Sequence, residues 1–332
     1  MNAPVSMAEI WRGPFLESIH MGHAVVCGEG GEIIESWGDP SAIVLPRSSS
    51  KMLQAMPLVE SGAADAFGLT GEQLALSCAS HQGAPMHTDR VQSWLKNLGL
   101  SDDDLNCGPQ TPRDEADLIL MHKTDSSPCR YHNNCSGKHA GFLTLSQHLG
   151  SKDPIYVDPS HAVQKACLAA FEELTEETSP GYGIDGCSAP NYAASLHGIA
   201  RAMAFFASAT DGGNTRQKAA ARLRDAMRTY PELVAGNGRA CTELMHAMDG
   251  RVTLKTGAEA FFIAIVPEKK IGVALKIVDG STRGAECAIA AILVRLGVLD
   301  PNHPATLKRL NAPIHNFAGQ HTGEIRAGLA FQ

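Results

Sequence analysis

Short runs of apolar and β-favouring residues lie near both ends of the chain. In residues 23–37 such runs flank a Gly-Glu-Gly-Gly cluster, and strands joined by a glycine turn form a hairpin. Residues 261–267 and 271–278 are apolar runs of strand length around the polar turn Glu268-Lys269-Lys270. The pattern therefore predicts one β-hairpin near each end of the chain.

The pattern between these hairpins has a helical period. After Pro46, apolar residues recur at helical spacing, with Pro57 expected to kink or shorten the helix. Further helical patterns cover residues 86–98, 137–149, 160–175, 190–208, 214–228 and 285–296. Strands at both ends with helices between them predict an α/β (α+β) sandwich, in which the N- and C-terminal segments build a mainly antiparallel sheet beside a helical lobe. We expect one two-lobed domain over residues 1–332, with the sheet-rich lobe at about 1–80 and 250–332 and the helical lobe at about 81–249.

Composition narrows the class of protein. The chain has 332 residues, a net charge of -7 and a pI near 6.0, which argues against a nucleic-acid partner because phosphate binding needs clustered Lys and Arg. No stretch approaches 18 uninterrupted apolar residues, and the first twenty residues mix Glu, Arg and Pro. The nine scattered cysteines are typical of reduced thiols rather than of a disulfide framework. We expect a soluble cytoplasmic protein without a membrane partner.

The first motif that could take part in catalysis is S-x-x-K at the start of the first helix. The spacing puts the Ser48 hydroxyl and the Lys51 amine on one helix face. A neutral lysine can take the proton of a serine and make it a nucleophile. The alternative is a helix-capping serine beside a solvated lysine, since S-x-x-K arises by chance in many proteins.

A second motif, Lys255-Thr256-Gly257, stands just before the apolar run at residue 261. K-T-G is the third motif of the penicillin-recognising serine enzymes, and the two motifs occur in the right order. The second motif of those enzymes, S-D-N, is absent from the sequence, and we treat the Y-x-N form of Tyr131 to Asn133 as fortuitous. Ser80 offers a further hydroxyl in a polar loop, where the alternative is an ordinary turn serine.

Two cysteines are candidates for metal binding. Cys135 and Lys138 are neighbours on a helix at spacing i, i+3, and Cys187 follows Asp185 and Gly186 in a glycine-rich loop. Two thiolates and a nearby nitrogen would suit zinc. The sequence has no C-x-x-C and no H-x-x-x-H, so spacing alone is weak support for a metal.

Five separated strings, HNNCSGKHAGFL, PRSSSKMLQA, SCASHQG, DGCSAP and LKTGAEA, together resemble the rhizobial-type (class 3) asparaginases, whose fold is similar to serine β-lactamases and glutaminases. The resemblance runs from about residue 18 to residue 328. It implies an L-asparaginase with L-asparagine as a small-molecule substrate, and a homodimer. It also implies two Ser-Lys pairs, zinc near the reacting centre, and three residues close to the substrate. These residues are Ser48 with Lys51 and Ser80 with Lys255 as catalytic pairs, Cys135, Lys138 and Cys187 on zinc, and Arg47, His139 and Asp185 at the substrate.

The mechanism that follows is acyl transfer. Lys51 takes the proton of Ser48, Ser48 attacks the amide carbon, ammonia leaves, and water hydrolyses the ester. The expected oxyanion donors are the backbone N–H groups of Ser48 and of a residue near Ala258. The competing functions are a glutaminase or penicillin-recognising enzyme on the same scaffold and a non-catalytic amino-acid sensor. The absence of S-D-N disfavours β-lactam recognition, and the intact Ser-Lys positions disfavour a sensor.

Overall fold

The computed structural model describes residues 2–331. Its strands are β1 (Val5–Arg12), β2 (Phe15–Cys27), β3 (Ile33–Trp37), β4 (Ile43–Val44), β5 (Tyr182–Ile184), β6 (Pro190–Tyr192), β7 (Ala194–Ser195), β8 (Thr253–Thr256), β9 (Phe261–Val266), β10 (Ile271–Ile277), β11 (Ala312–His315) and β12 (His321–Ala327). Its α-helices are α1 (Lys51–Glu60), α2 (Ala63–Ala66), α3 (Gly71–Ser77), α4 (Pro85–Asn97), α5 (Glu115–Lys123), α6 (Ser136–His148), α7 (Ala162–Thr175), α8 (Leu196–Ser208), α9 (Thr215–Thr229), α10 (Pro231–Val234), α11 (Ala240–Ala247), α12 (Thr282–Arg295) and α13 (Pro304–Leu307).

The chain forms two compact units. The sheet unit consists of the chain up to Ser49, Ala194–Ser208 and the chain from Glu243 onward. The helical unit consists of Ser50–Ala193 and Ala209–Thr242. The lobes expected at about 1–80 with 250–332 and at 81–249 stay a prediction.

The sheet unit contains an antiparallel sheet in the order β11-β12-β1-β2-β10-β9-β8, with β3 also paired to β2. The N-terminal strands β1 and β2 lie between β12 and β10, which come from the C-terminal part of the chain. This confirms the predicted α/β architecture, in which both chain ends contribute to one mainly antiparallel sheet.

Both predicted hairpins are present. Strand β2 pairs with β3, with Ala24 opposite Trp37, and β9 pairs with β10 across a 3-10 turn at Pro267–Lys269. Every residue of β9 is buried, and so is nearly every residue of β10. Strands with continuous apolar sequence need cover on both faces, and helices α8 and α12 pack on this part of the sheet.

The helical unit is built around α1 and α6. Helix α1 packs against α6, α7 and α9, and α3 packs against α6 and α9. Helix α6 is buried at every position from Ser136 to Ser146, which is typical of a helix enclosed by its neighbours. No helix within residues 2–331 combines the length and apolar character that a membrane crossing requires.

The prediction of one helix over residues 190–208 was wrong in its first part. Pro190–Tyr192 and Ala194–Ser195 are strands, and the helix begins at Leu196. The physical reason is tertiary pairing, since β6 pairs with β5 and β7 pairs with β4. Helix α1 runs through Pro57 and ends three residues later at Glu60.

The close contact between β10 and α8 depends on Gly272. A Cβ at this position would lie 2.1 Å from the Ala204 nitrogen and 2.3 Å from the Ala200 oxygen, both backbone atoms of α8. We expect Gly272→Ala to lower the free energy of unfolding by about 1–3 kcal/mol, measured by denaturant titration. The control is Gly212→Ala, whose Cβ meets only the Thr210 Oγ1 at 3.9 Å. Equal stability of the two variants would contradict this packing.

Candidate active site

The three lysines singled out by the sequence motifs are the buried lysines of residues 2–331. Lys51 and Lys255 are 1% exposed and Lys138 is 2% exposed. An ammonium group loses its water when buried, so each needs hydrogen-bond or ionic partners inside the protein. Such burial also marks these lysines as candidates for a functional site.

Lys51 lies at the first position of α1 and reaches into the helical unit. Its Nζ donates to the Ala79 carbonyl, to Ser80 Oγ at 3.0 Å and to the Asn134 carbonyl at 3.5 Å. The three protons of an ammonium group are therefore matched by three oxygen acceptors. The structure places the candidates Lys51 and Ser80 in direct contact.

A network of hydrogen bonds fixes the loop that carries Ser80. The backbone N–H groups of Ser80 and His81 donate to the carbonyls of Val234 at 2.9 Å and Asn134 at 3.2 Å. The Gly83 N–H donates to His81 Nδ1, so the ring proton lies on Nε2, 2.9 Å from Ser136 Oγ. Burial lowers the pKa of His81 well below its ordinary value, which keeps the ring neutral. The loop is thus tied to the start of α6.

Ser48 and Arg47 lie in a 3-10 turn at Arg47–Ser50, directly before α1. Arg47 has a positive φ of 51°, which is uncommon for a residue with a side chain. The next residue, Ser49, is buried, and its hydroxyl donates to the Lys255 carbonyl at 3.0 Å. Ser49 therefore ties the turn that holds Ser48 to strand β8.

Gly257 permits this close approach. A Cβ there would lie 2.6 Å from the Pro46 carbonyl and 3.0 Å from Ser49 Oγ. The neighbouring Lys255 donates from Nζ to the Thr256 carbonyl at 2.6 Å. A side chain at the glycine of the K-T-G motif would therefore clash with neighbouring atoms of the sheet unit.

The members of each predicted Ser-Lys pair belong to different units. Arg47, Ser48 and Lys255 belong to the sheet unit, and Lys51 and Ser80 to the helical unit. The pairings of Ser48 with Lys51 and of Ser80 with Lys255 stay predictions. The contact between Lys51 and Ser80 was not among the predicted pairs.

Cys135, Lys138 and Cys187 come together inside the helical unit. Cys135 and Lys138 lie at the start of α6, and Cys187 lies in the turn between β5 and β6. Lys138 Nζ lies 3.0 Å from the Cys187 sulfur. Asp185 forms the same turn, in which its carboxylate accepts from the Gly186 N–H at 2.8 Å. All three candidate zinc ligands are thus buried neighbours.

The two thiols have opposite pKa shifts. A hydrogen bond from Cys135, joined by the charge of Lys138, holds the pKa of Cys187 well below its ordinary value although burial opposes this. The same hydrogen bond, together with burial, raises the pKa of Cys135. Burial alone would lower the pKa of Lys138, but the sulfur charges outweigh it and raise that pKa. These directions favour a thiolate at Cys187, a thiol at Cys135 and an ammonium group at Lys138.

His139 lies beside this cluster and is completely buried. Its Nδ1 lies 2.8 Å from the hydroxyl of Tyr156, and its ring meets those of Tyr156 and Phe142 edge-on. Its Nε2 is buried without a well-aligned hydrogen bond, although the Cys187 sulfur is close enough to act on the ring. Burial is the larger effect and lowers the pKa of His139.

A zinc ion suits the donor set of this cluster. Two sulfur atoms and one amine nitrogen are donors that zinc accepts, provided that the lysine loses its proton. Residues 2–331 contain no group of three or more His, Cys, Asp or Glu side chains arranged to hold a metal ion. A site here therefore depends on Lys138 as the third ligand.

Sequence reasoning missed three residues of this region. Tyr156 contacts His139, the Asn134 carbonyl accepts from Lys51, and His81 bonds to Ser136. Asn134 and His81 lie inside the quoted motif strings but were not singled out. Tyr156 lies in a loop outside every motif, and nothing in its local sequence marks it.

The depressed pKa of Cys187 leads to a test on chelator-treated protein. A depressed pKa keeps the sulfur ionised at neutral pH, and its contribution to stability is lost as acidification takes the pH down through the folded-state value. Burial raises the pKa of four other thiols to about 12, namely those of Cys27, Cys107, Cys167 and Cys287. We expect thiolate ultraviolet absorbance at neutral pH that disappears in Cys187→Ser and moves to higher pH in Lys138→Met. No thiolate signal in the wild type at neutral pH would contradict the assignment.

Two solved structures illustrate what the chain is similar to. A beta-lactamase from Mycobacterium bovis is 13% identical, with 84% of this chain and 95% of that chain covered and a TM-score of 0.45. Mglu in its tris and glutamate form is 14% identical, with 91% and 65% covered and a TM-score of 0.46. At these values neither likeness carries an argument about function. Comparison with curated proteins gives no match.

One protein family matches almost the whole chain. The family described as L-asparaginase II matches residues 8–327, which include every candidate residue of both units. An asparaginase family is a family of amidohydrolases. The chain therefore belongs to the L-asparaginase II family and is an amidohydrolase.

Proposed function

We propose that the protein hydrolyses L-asparagine to L-aspartate and ammonia. The observation that carries the proposal is the buried Lys51, the lysine of the S-x-x-K motif, held 3.0 Å from Ser80 Oγ in a chain of the L-asparaginase II family. A buried lysine in contact with a serine hydroxyl is an arrangement that can move protons during acyl transfer. We also propose a homodimer, which the sequence resemblance supports, and a cytoplasmic location, which the scattered unpaired cysteines support.

The proposed reaction begins with Ser48 as the nucleophile. Lys51 accepts the Ser48 proton as Ser48 Oγ forms a bond to the side-chain amide carbon. The carbon–nitrogen bond then breaks and ammonia leaves with a proton returned from the enzyme. Water hydrolyses the resulting ester, which releases aspartate and restores the Ser48 hydroxyl.

Lys51 must be neutral when it accepts this proton. Three oxygen acceptors surround its Nζ, and this set suits the ammonium form. We propose that Ser80 takes part in removing the extra proton, with Lys255 as the second lysine of the relay. The contact between Lys51 and Ser80 supports the first step of that relay.

Three residues are proposed to bind the substrate. The guanidinium group of Arg47 suits a carboxylate, and the Asp185 carboxylate suits an ammonium group, so together they match the two charges of an α-amino acid. His139 contributes a polar group from the helical unit.

We propose that Cys135, Lys138 and Cys187 hold zinc. Their mutual contact and burial support this proposal. When bound, the metal would supply a charge that orients and polarises the substrate. Lys138 would have to lose its proton to act as a nitrogen ligand, and Cys135 and Cys187 would supply sulfur ligands.

Ammonia release tests the nucleophile. We expect Ser48→Ala to fold and lose turnover by several orders of magnitude, because only binding and oxyanion donors remain. Ser80→Ala should retain more activity, because a proton relay is weakened while the nucleophile stays. The assay compares L-asparagine with L-glutamine, and the exposed Ser101→Ala serves as the control. Wild-type rates in Ser48→Ala would overturn the mechanism, and preference for glutamine would overturn the substrate.

Metal analysis tests the zinc proposal. We expect Cys135→Ser and Cys187→Ser to lose stoichiometric zinc and to raise KM more than they lower kcat, because the metal is proposed to position the substrate. Cys167→Ser is the matched control, since Cys167 is a buried thiol of the same unit that donates to the Gln54 carbonyl. Absence of zinc from wild type purified with zinc and without chelator would overturn the site. An unchanged KM in metal-free protein would overturn the role.

A further inference from the structure

Tyr156 joins the candidate site to a loop that no motif includes. Its side chain is fully buried, and its hydroxyl oxygen accepts from the Asn106 backbone N–H at 2.8 Å. The same hydroxyl lies 2.8 Å from His139 Nδ1. Only the effect of Tyr156 on turnover rests on the proposed function.

The direction of the bond between Tyr156 and His139 follows from counting protons. A backbone N–H can only donate, so the Asn106 contact uses the Tyr156 oxygen as an acceptor. The phenol proton then needs an acceptor, and the partner at hydrogen-bond distance is His139 Nδ1. Nδ1 can accept only if it carries no proton, so a neutral His139 carries its proton on Nε2.

The opposite arrangement leaves the buried phenol O–H unsatisfied in addition to His139 Nε2, which lacks a well-aligned partner in either tautomer. If His139 Nδ1 carried the proton, it would donate to the Tyr156 oxygen. Both partners of the Tyr156 hydroxyl would then be donors, and the phenol proton would have no acceptor. A doubly protonated ring has the same defect. Buried polar groups that lack a partner are strongly disfavoured, and Tyr156 is 0% exposed.

We propose that Tyr156 is a positioning residue that fixes His139 in the Nε2–H tautomer, so that His139 offers the site an N–H donor and does not act as a base. The Nε2 N–H is then a buried donor without a well-aligned acceptor in the protein. Such a donor suits the Cys187 sulfur or an anionic oxygen of the substrate. Proton acceptance in the reaction is left to the lysines.

Edge-on packing supports this role. The His139 ring centroid lies 5.7 Å from that of Phe142 and 5.5 Å from that of Tyr156. A ring held between two aromatic side chains cannot rotate without moving one of them, so the hydrogen bond at Nδ1 sets the direction of Nε2.

Nitrogen-15 NMR of metal-free protein with labelled histidine tests the tautomer directly. We expect His139, assigned by its disappearance in His139→Gln, to carry its proton on Nε2 and to show an unprotonated Nδ1 that accepts a hydrogen bond. In Tyr156→Phe the Nδ1 chemical shift should move toward the value of a ring nitrogen that accepts no hydrogen bond. A wild-type spectrum with the proton on Nδ1 overturns the inference, whether or not the Phe variant folds.

Tyr192→Phe is the matched control. Tyr192 is a buried tyrosine of the same unit, and its hydroxyl donates to the Gln164 carbonyl at 3.0 Å, away from His139. We expect Tyr156→Phe to lower kcat/KM for asparagine roughly 10- to 100-fold, as removal of a residue that orients a site group commonly does, and Tyr192→Phe to leave it unchanged. An equal loss in both variants overturns the positioning role.

The two measurements separate this inference from the proposed function. The tautomer is observed without substrate, metal or turnover, so an inactive protein leaves that result standing. Conversely, a proton on His139 Nδ1 overturns the inference while ammonia release from asparagine still supports the function.

Discussion

Burial of three lysine side chains is the constraint on which the candidate residues of each unit depend. Removing the charge of a lysine from water costs several kcal/mol unless the protein supplies well-placed partners. Lys51 donates to three oxygen acceptors, Lys138 contacts the Cys187 sulfur, and Lys255 donates to the Thr256 carbonyl. Several of these acceptors are main-chain carbonyls, so the backbone at these points must turn inward. Each lysine thus constrains the loops that surround it within its own unit.

The sheet was predictable where its strands are local partners. The hairpin of β9 and β10 follows from two apolar runs around one polar turn, and burial on both faces explains why the runs are continuous. Strands β1 and β12 were not predicted individually. Their pairing brings Ile10 opposite Ile325, and a local sequence pattern contains no information on so distant a partner. Residues 190–195 show the same limit, since their helical periodicity gave way to pairing with β4 and β5.

The site was predictable to the extent that its chemistry lies in short motifs. Cys135 and Lys138 are three residues apart on one helix, so their proximity could be derived from spacing. Cys187 was a candidate from its glycine-rich loop, but its grouping with Lys138 came from the family resemblance, because their contact crosses 49 residues of sequence. Tyr156 had no signal at all, since its role depends on meeting the Asn106 backbone and the His139 ring in the folded chain. Motifs identify reactive groups, whereas the residues that orient them emerge only from tertiary structure.

The order of strands in the sheet also has a consequence for synthesis on the ribosome. Strands β1 and β2 are made before the helices of the middle of the chain, yet their neighbours β12 and β10 are made after them. At typical translation rates of about 5–20 residues per second, β1 waits roughly 15–60 s for β12 to emerge. During that time its apolar residues have no sheet partner on that side. The nascent chain therefore carries an unpaired apolar strand edge until β12 has been made, and unpaired strand edges of this kind are prone to aggregate.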